Sequence, residues 1–102
     1  MSIKILIERR FKEKVLPETL RTIDEIRMLA LRSRGYIGGE TIVNMEDGRE
    51  VAVISAWSSL EDWTSWYEKK DWEELEKSLL PSLEEPAKVR AFLPGADYEK
   101  SC

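Results

Sequence analysis

Histidine is absent from the 102 residues, and cysteine occurs once, at Cys102. Without imidazole there are no His-based metal sites, no Ser-His or Cys-His nucleophile pairs and no His-ligated haem. A lone cysteine cannot close an intramolecular disulfide, so a reducing compartment is expected, with the cytoplasm the simplest choice. Excess positive charge is also missing. Sixteen Lys and Arg stand against twenty Asp and Glu, a net charge of −4, which argues against a nucleic-acid partner held by its phosphates. No apolar run approaches the roughly 18 residues of a membrane span. The opening stretch, Met1 to Glu8, carries only a short apolar patch interrupted by Lys4, a strand pattern and not a secretory signal. Linkers, internal repeats and low-complexity segments are not found.

What is present is a globular composition: 42% hydrophobic and 35% charged residues, enough for one domain with a modest core and a well-solvated exterior. Ile3, Ile5 and Ile7 alternate with Lys4, Leu6 and Glu8, which predicts a strand over 2–11. Pro17 suits a first helical turn, and Leu20, Ile23, Ile26, Ala30 and Leu31 follow at helical spacing until Gly35, predicting a helix over 17–33. Strands are expected at 36–45 and 49–57, joined by a two-residue turn at Asp47-Gly48. That turn sets Asn44 opposite Val51, Ile42 opposite Val53 and Gly38 opposite Trp57, with Val43 opposite Ala52 on the other face. Ser58-x-x-Glu61, or Ser59-x-x-Asp62, caps a helix reaching about Lys69. Trp72, Leu75, Leu79 and Leu80 give a second short helix ended by Pro81. Ala87, Val89, Ala91 and Leu93 mark a last strand. The domain is placed at 1–95 and a polar tail at 96–102. The order strand, helix, strand, strand, split helical segment, strand is that of an α+β, ferredoxin-like βαββαβ sandwich with a four-stranded antiparallel sheet.

Two crossover helices cover only one face of such a sheet. Leu6, Phe92 and one side of the hairpin are left on the other, so a second copy of the chain, pairing sheet to sheet as a homodimer, is expected. Glu8 should then be neutralised within the sheet by Arg90 or Lys88.

The runs Gly35-Tyr36-Ile37-Gly38-Gly39-Glu40, Val53-Ile54-Ser55-Ala56-Trp57-Ser58-Ser59-Leu60-Glu61-Asp62-Trp63 and Pro86-Ala87-Lys88-Val89-Arg90 resemble the antibiotic biosynthesis monooxygenase family over roughly residues 3–93. The resemblance implies a dimeric αβ barrel with a pocket in each subunit between helices and sheet. It also implies either cofactor-independent oxygenation of quinol or polyphenol substrates or oxidative haem breakdown. The haem branch needs an Asn on the first strand, a Trp on the second helix and a His beyond it. Trp66 matches the Trp, but Ile7 or Glu8 stands at the Asn position and Glu76 at the His position, which leaves iron without a proximal ligand. No metal or cofactor is expected.

For the quinol-oxidising branch, Trp66, Asn44 and Tyr67 are the candidate catalytic residues. Trp63, Tyr36 and Arg90 are candidates for binding the substrate. The Trp and Tyr rings wall a pocket, a Tyr hydroxyl donates to a phenolate, Asn44 bonds a carbonyl, and Arg90 offsets developing negative charge. Plainer readings stand beside these: Trp63 and Trp66 at i, i+3 as a core stripe and Asn44 as a turn residue; Arg32 and Arg34 read as partners of a helix C-terminus. The alternatives to an oxygenase are a non-catalytic small-molecule-binding or stress-response module and a structural dimer with a filled core. A cavity of roughly 300 Å³ or more lined by Trp66 and a polar group separates the first two from the third.

Overall fold

A computed structural model describes residues 1–98. The elements are β1 (Ile3–Arg10), α1 (Pro17–Ala30), β2 (Tyr36–Val43), β3 (Glu50–Trp57), α2 (Leu60–Lys69), α3 (Glu73–Leu79) and β4 (Lys88–Phe92). All four strands join one antiparallel sheet in the order β2-β3-β1-β4. This is the expected ferredoxin-like arrangement. The expected tail is described only to Tyr98, with a single 3-10 turn at Gly95–Asp97; Cys102 lies outside the described residues.

Alternation in the strands decides which face meets the helices. Ile3, Ile5, Ile7 and Arg9 of β1 lie beside Trp57, Ser55, Val53 and Val51 of β3. With Ile23, Ile26 and Ala30 of α1, Trp66 of α2 and Leu79 of α3 they build the core, in which Ile5, Ile23 and Trp57 are wholly buried. Past the end of β1, Phe11 bridges to Leu83 and closes the lower end.

The hairpin differs from the sequence expectation. Asp47-Gly48 does not make a two-residue turn, because Gly35 is the only described glycine with positive φ and a type I′ turn needs positive φ at both central residues. Instead, residues 44–49 form a longer loop. Asn44 Oδ1 accepts from the Glu46 N–H at 2.8 Å, the Asn44 N–H donates to the Glu50 carbonyl at 3.0 Å, and the Glu50 N–H donates to the Asp47 carbonyl at 3.0 Å. The Asp47 carboxylate takes both the Arg49 backbone N–H and its guanidinium, and the Arg49 side chain holds its pKa down at about 2. These side-chain bonds are the local competition that Asx turns offer to a tight hairpin.

The register therefore slips by one: Val43 pairs with Val51, Thr41 with Val53 and Ile42 with Ala52. A bulge between Tyr36 and Gly38 sets Tyr36 opposite Trp57. Because the side-chain period is two, the slip moves Ile42 to the helix-free face. Gly39 lies where a Cβ would sit 2.7 Å from the Ile54 carbonyl oxygen, whereas at Gly38 it would meet nothing. The Gly-Gly pair thus marks a bulge and a close approach within the chain's own sheet.

Gly35 joins α1 to β2 at φ +84°, and a Cβ there would run into the Asp62 side chain. Its carbonyl accepts from the Ser58 N–H at 2.7 Å, tying this turn to the start of α2. Gly35→Ala is expected to lower unfolding stability by about 1–2 kcal/mol from the left-handed backbone alone, and by more once Asp62 is displaced. A urea midpoint unchanged from wild type would contradict this.

The helix-free face carries Leu6, Ile42, Ala52, Ile54, Ala56 and Phe92, with Ile42 and Phe92 42% and 43% exposed. Within it Arg90 donates to Glu8 at 2.8 Å, the expected cross-strand pair, while Lys88 turns to Glu85 at 3.6 Å.

Candidate functional site

The aromatic side chains converge on the junction of α1, α2 and the β2–β3 end of the sheet. Helix α2 starts there because Ser59 Oγ accepts from the Asp62 N–H at 3.1 Å. It stops at Lys70, which takes a left-handed conformation. Spacing then sorts the rings. Trp66 turns inward against Trp57, centroids 5.8 Å apart, and Trp57 takes the Tyr36 ring edge-on at 5.2 Å. Trp63 and Tyr67, one turn apart, stack at 4.9 Å, and Tyr67 stacks on Trp72 at 4.8 Å. The Trp72 indole N–H donates to the Tyr67 carbonyl at 3.0 Å, so the segment after α2 folds back onto it.

Two spaces meet at Trp66. One is a small, almost wholly apolar space of about 30 Å³ between helices and sheet, walled by Ile7, Ile23, Ala30, Val53, Trp63 and Trp66, among others. The other is a cleft of about 420 Å³ opening to the surface, lined by Ser33, Arg34, Ser59, Asp62, Trp66 and Lys69, among others. Trp66 is the one residue common to both.

Of the six residues singled out in the sequence, Tyr36, Trp63 and Trp66 line the small space between helices and sheet, and Tyr67 stands behind Trp63 in the ring stack. Asn44 and Arg90 are not part of it. Asn44 holds the β2–β3 loop and lines a separate depression of about 390 Å³. Arg90 lies on the helix-free face with Glu8 and over the Phe92 ring.

Sequence reasoning passed over two arginines and read a third only as a helix-end charge. Arg9, only 4% exposed, continues the Ile3-Ile5-Ile7 face into the core. There its Nε and a terminal nitrogen grip Glu76 of α3 at 3.2 and 2.6 Å. The signal was legible: a cation at the next in-facing position of an apolar alternation requires a buried carboxylate. Arg27 of α1 reaches Thr41 at 3.4 Å, while Thr41 donates to Asp24 at 2.9 Å. Arg34, read as a helix-end charge, lines the outer cleft with Lys69. Among the described residues no cluster of three or more His, Cys, Asp or Glu side chains could hold a metal, and no helix is long and apolar enough to cross a membrane.

No family model matches this sequence, and no curated protein does. Solved structures do match. A conserved protein from Methanosarcina mazei Go1 superposes with a TM-score of 0.79 at 12% identity, over 90% of this chain and 91% of that one. SnoaB, a cofactor-independent oxygenase from Streptomyces nogalater, gives 0.79 at 8% identity over 91% and 92%. A protein from Bordetella bronchiseptica assigned to the antibiotic biosynthesis monooxygenases gives 0.77 at 16% identity over 91% and 96%.

Proposed function

We propose that a chain with the fold of the antibiotic biosynthesis monooxygenases, as this one is, works as a cofactor-independent monooxygenase on a small electron-rich aromatic of the quinol or polyphenol class, as a homodimer. The observation that carries this reading is the position of Trp66, a shared wall between an outer cleft of aromatic-binding size and the small apolar space between helices and sheet. The fold shared with SnoaB supports it.

The space between helices and sheet, at about 30 Å³, is far too small for an aromatic ring, since a cavity of about 150 Å³ is what holds benzene. The ring therefore belongs in the outer cleft of about 420 Å³. Arg34 and Lys69 there offset the charge of a deprotonated quinol, and the N–H groups that open α2 add to the positive field. Asp62 and Glu61 line the same cleft and are the carboxylates within reach to take the quinol proton. The quinolate then gives one electron to dioxygen. The substrate radical and superoxide combine to form a C–O bond, and the peroxide is protonated and loses water. A quinol and O2 give a hydroxyquinone and water, all four electrons coming from the substrate, so no metal or flavin enters the balance.

The dimer reading rests on the helix-free face. Leu6, Ile42, Ile54 and Phe92 share one side of the sheet with no helix over them, and covering each side chain is worth about 1.5–3 kcal/mol. Sedimentation should show a particle twice the 11.9 kDa of the chain; a monomer at micromolar concentration would refute it.

Oxygen uptake with a panel of quinols tests the activity. Turnover above the spontaneous rate is expected, with Trp66→Phe lowering kcat/KM at least about tenfold, the effect of one lost transition-state hydrogen bond, for a smaller loss of stability. Absence of turnover across the panel would defeat the oxygenase. The tight packing between helices and sheet, which leaves only about 30 Å³, favours one rival, a structural dimer with a filled core. It predicts neither oxygen uptake nor saturable binding of an aromatic.

A further inference from the structure

The helix-free face is laid out in rows that cross the four strands. One row is Gly38, Ala56, Lys4 and Phe92, and the next is Glu40, Ile54, Leu6 and Arg90. The first row is small on its β2–β3 half and large on its β1–β4 half. The second has an anion at one end, a cation at the other and two aliphatic side chains between. Over the small half lies a depression of about 310 Å³, lined by Gly38, Glu40, Ile54 and Ala56, among others. A cavity of about 150 Å³ holds benzene, so a phenyl ring fits. At the opposite edge Phe92 stands 43% exposed, with the Arg90 guanidinium 5.3 Å above its ring. Most charges of the face are paired within the chain: Arg90 with Glu8, Arg10 with Glu50 and Lys88 with Glu85. Among the described residues, Lys4 and Glu40 are the two of this face that form no ion pair.

We propose that a second copy of the chain docks with the twofold axis running along the strands, over the seam of β3 and β1. The Phe92 ring of each copy then enters the depression over the partner's Gly38, and Arg90 meets the partner's Glu40. The inference rests on the homodimer reading above, to which it adds an axis and its contacts, and it is independent of the oxygenase. Two sheets packed face to face with aligned strands have two candidate axes. An axis along the seam reverses each row. Phe92 falls on Gly38, Arg90 on Glu40, Leu6 on Ile54 and, two rows further, Arg10 on Glu50. Large meets small, cation meets anion and aliphatic meets aliphatic. An axis across the strands instead lays Lys4 on Arg10, Arg90 on Lys88 and Glu8 on Leu6. Like charges would meet and a carboxylate would be pressed onto an aliphatic surface, both of which disfavour a closed interface. A guanidinium has five donors, so Arg90 keeps Glu8 while it takes Glu40. The seam axis also accounts for Lys4, which comes over the partner's Ala56, one strand and one row from the partner's Glu40.

Sedimentation equilibrium of charge variants tests the axis. Glu40→Arg and Arg90→Glu, both at exposed positions, should each raise the dimer Kd at least about tenfold. Each contact occurs twice by symmetry, and each changes from attraction to repulsion. The two substitutions move the net charge in opposite directions, so a general charge effect would weaken one dimer and strengthen the other. Mixed in equal amounts, the two variants should form a heterodimer in native mass spectrometry, because both contacts between subunits then unite opposite charges. That recovery also shows that each variant is folded. Gly38→Trp adds a ring where a Cβ meets nothing of its own chain and should likewise raise Kd at least about tenfold by keeping Phe92 out. A wild-type dimer unmoved by Glu40→Arg, or a mixture in which no heterodimer forms, would overturn this arrangement and leave the homodimer standing. A wild-type monomer would overturn both.

Discussion

Glu76→Leu is expected to cost about 3–5 kcal/mol of unfolding free energy, the penalty for stranding a buried charge by removing its partner. The Arg9 side chain is 3% exposed, and its two short bonds to Glu76 are what balance its charge in the core. Taking a guanidinium out of water is repaid only while the carboxylate is there. The reverse change, Arg9→Met, should cost less, because Glu76 is 20% exposed and can turn to solvent. Replacing both at once should recover most of the loss, since an apolar pair of similar volume commonly equals or exceeds a buried ion pair. Urea unfolding of the two single variants and the double variant, read as a thermodynamic cycle, checks this. Additive losses would show that the two groups do not depend on one another.

Trp57→Ala should be of similar size, about 3–5 kcal/mol, the usual cost of emptying a buried Trp site. Against a total of about 5–15 kcal/mol for a domain of this size, that approaches loss of the fold at ambient temperature. Trp57 is 1% exposed and touches both Tyr36 and Trp66, so its removal loosens the packing between helices and sheet from the side opposite α2. The milder Trp57→Phe keeps most of the packing but leaves the Ser55 hydroxyl buried without its donor, for about 1–3 kcal/mol. Near-ultraviolet circular dichroism reports the aromatic cluster, and chemical denaturation the stability. A Trp57→Ala protein with wild-type values of both would show that the cluster carries little of the core.

The fold was legible in the sequence because its main signals are redundant. The isoleucines of β1, the spacing of α1 and the capping pattern before α2 each specify an element alone, and together they admit one topology. The hairpin failed where two local preferences compete. Asp-Gly reads as a tight turn, but Asn44 and Asp47 satisfy the chain through their side chains and lengthen the loop. One residue of slip then reassigns a face of β2. The site was legible in part. Helical spacing brings Trp63 and Trp66 to one wall, and the bulge adds Tyr36, but nothing along the chain says that Asn44 and Arg90 lie elsewhere. Arg34 and Lys69 come together only because Gly35 and Ser58 fasten two chain reversals at one point. The size of a void is a property of packing and has no counterpart in spacing.

Lys4 at the start of β1 is paired with Phe92 at the end of β4. Tension applied through the two ends of the domain therefore falls on a single pair at the lip of the β1–β4 ladder. The bonds part in succession, like a zip, and never bear the load together. Pulled in this direction the molecule yields at low force, however firm its interior, and β4 peels away before β1 loses its grip on β3.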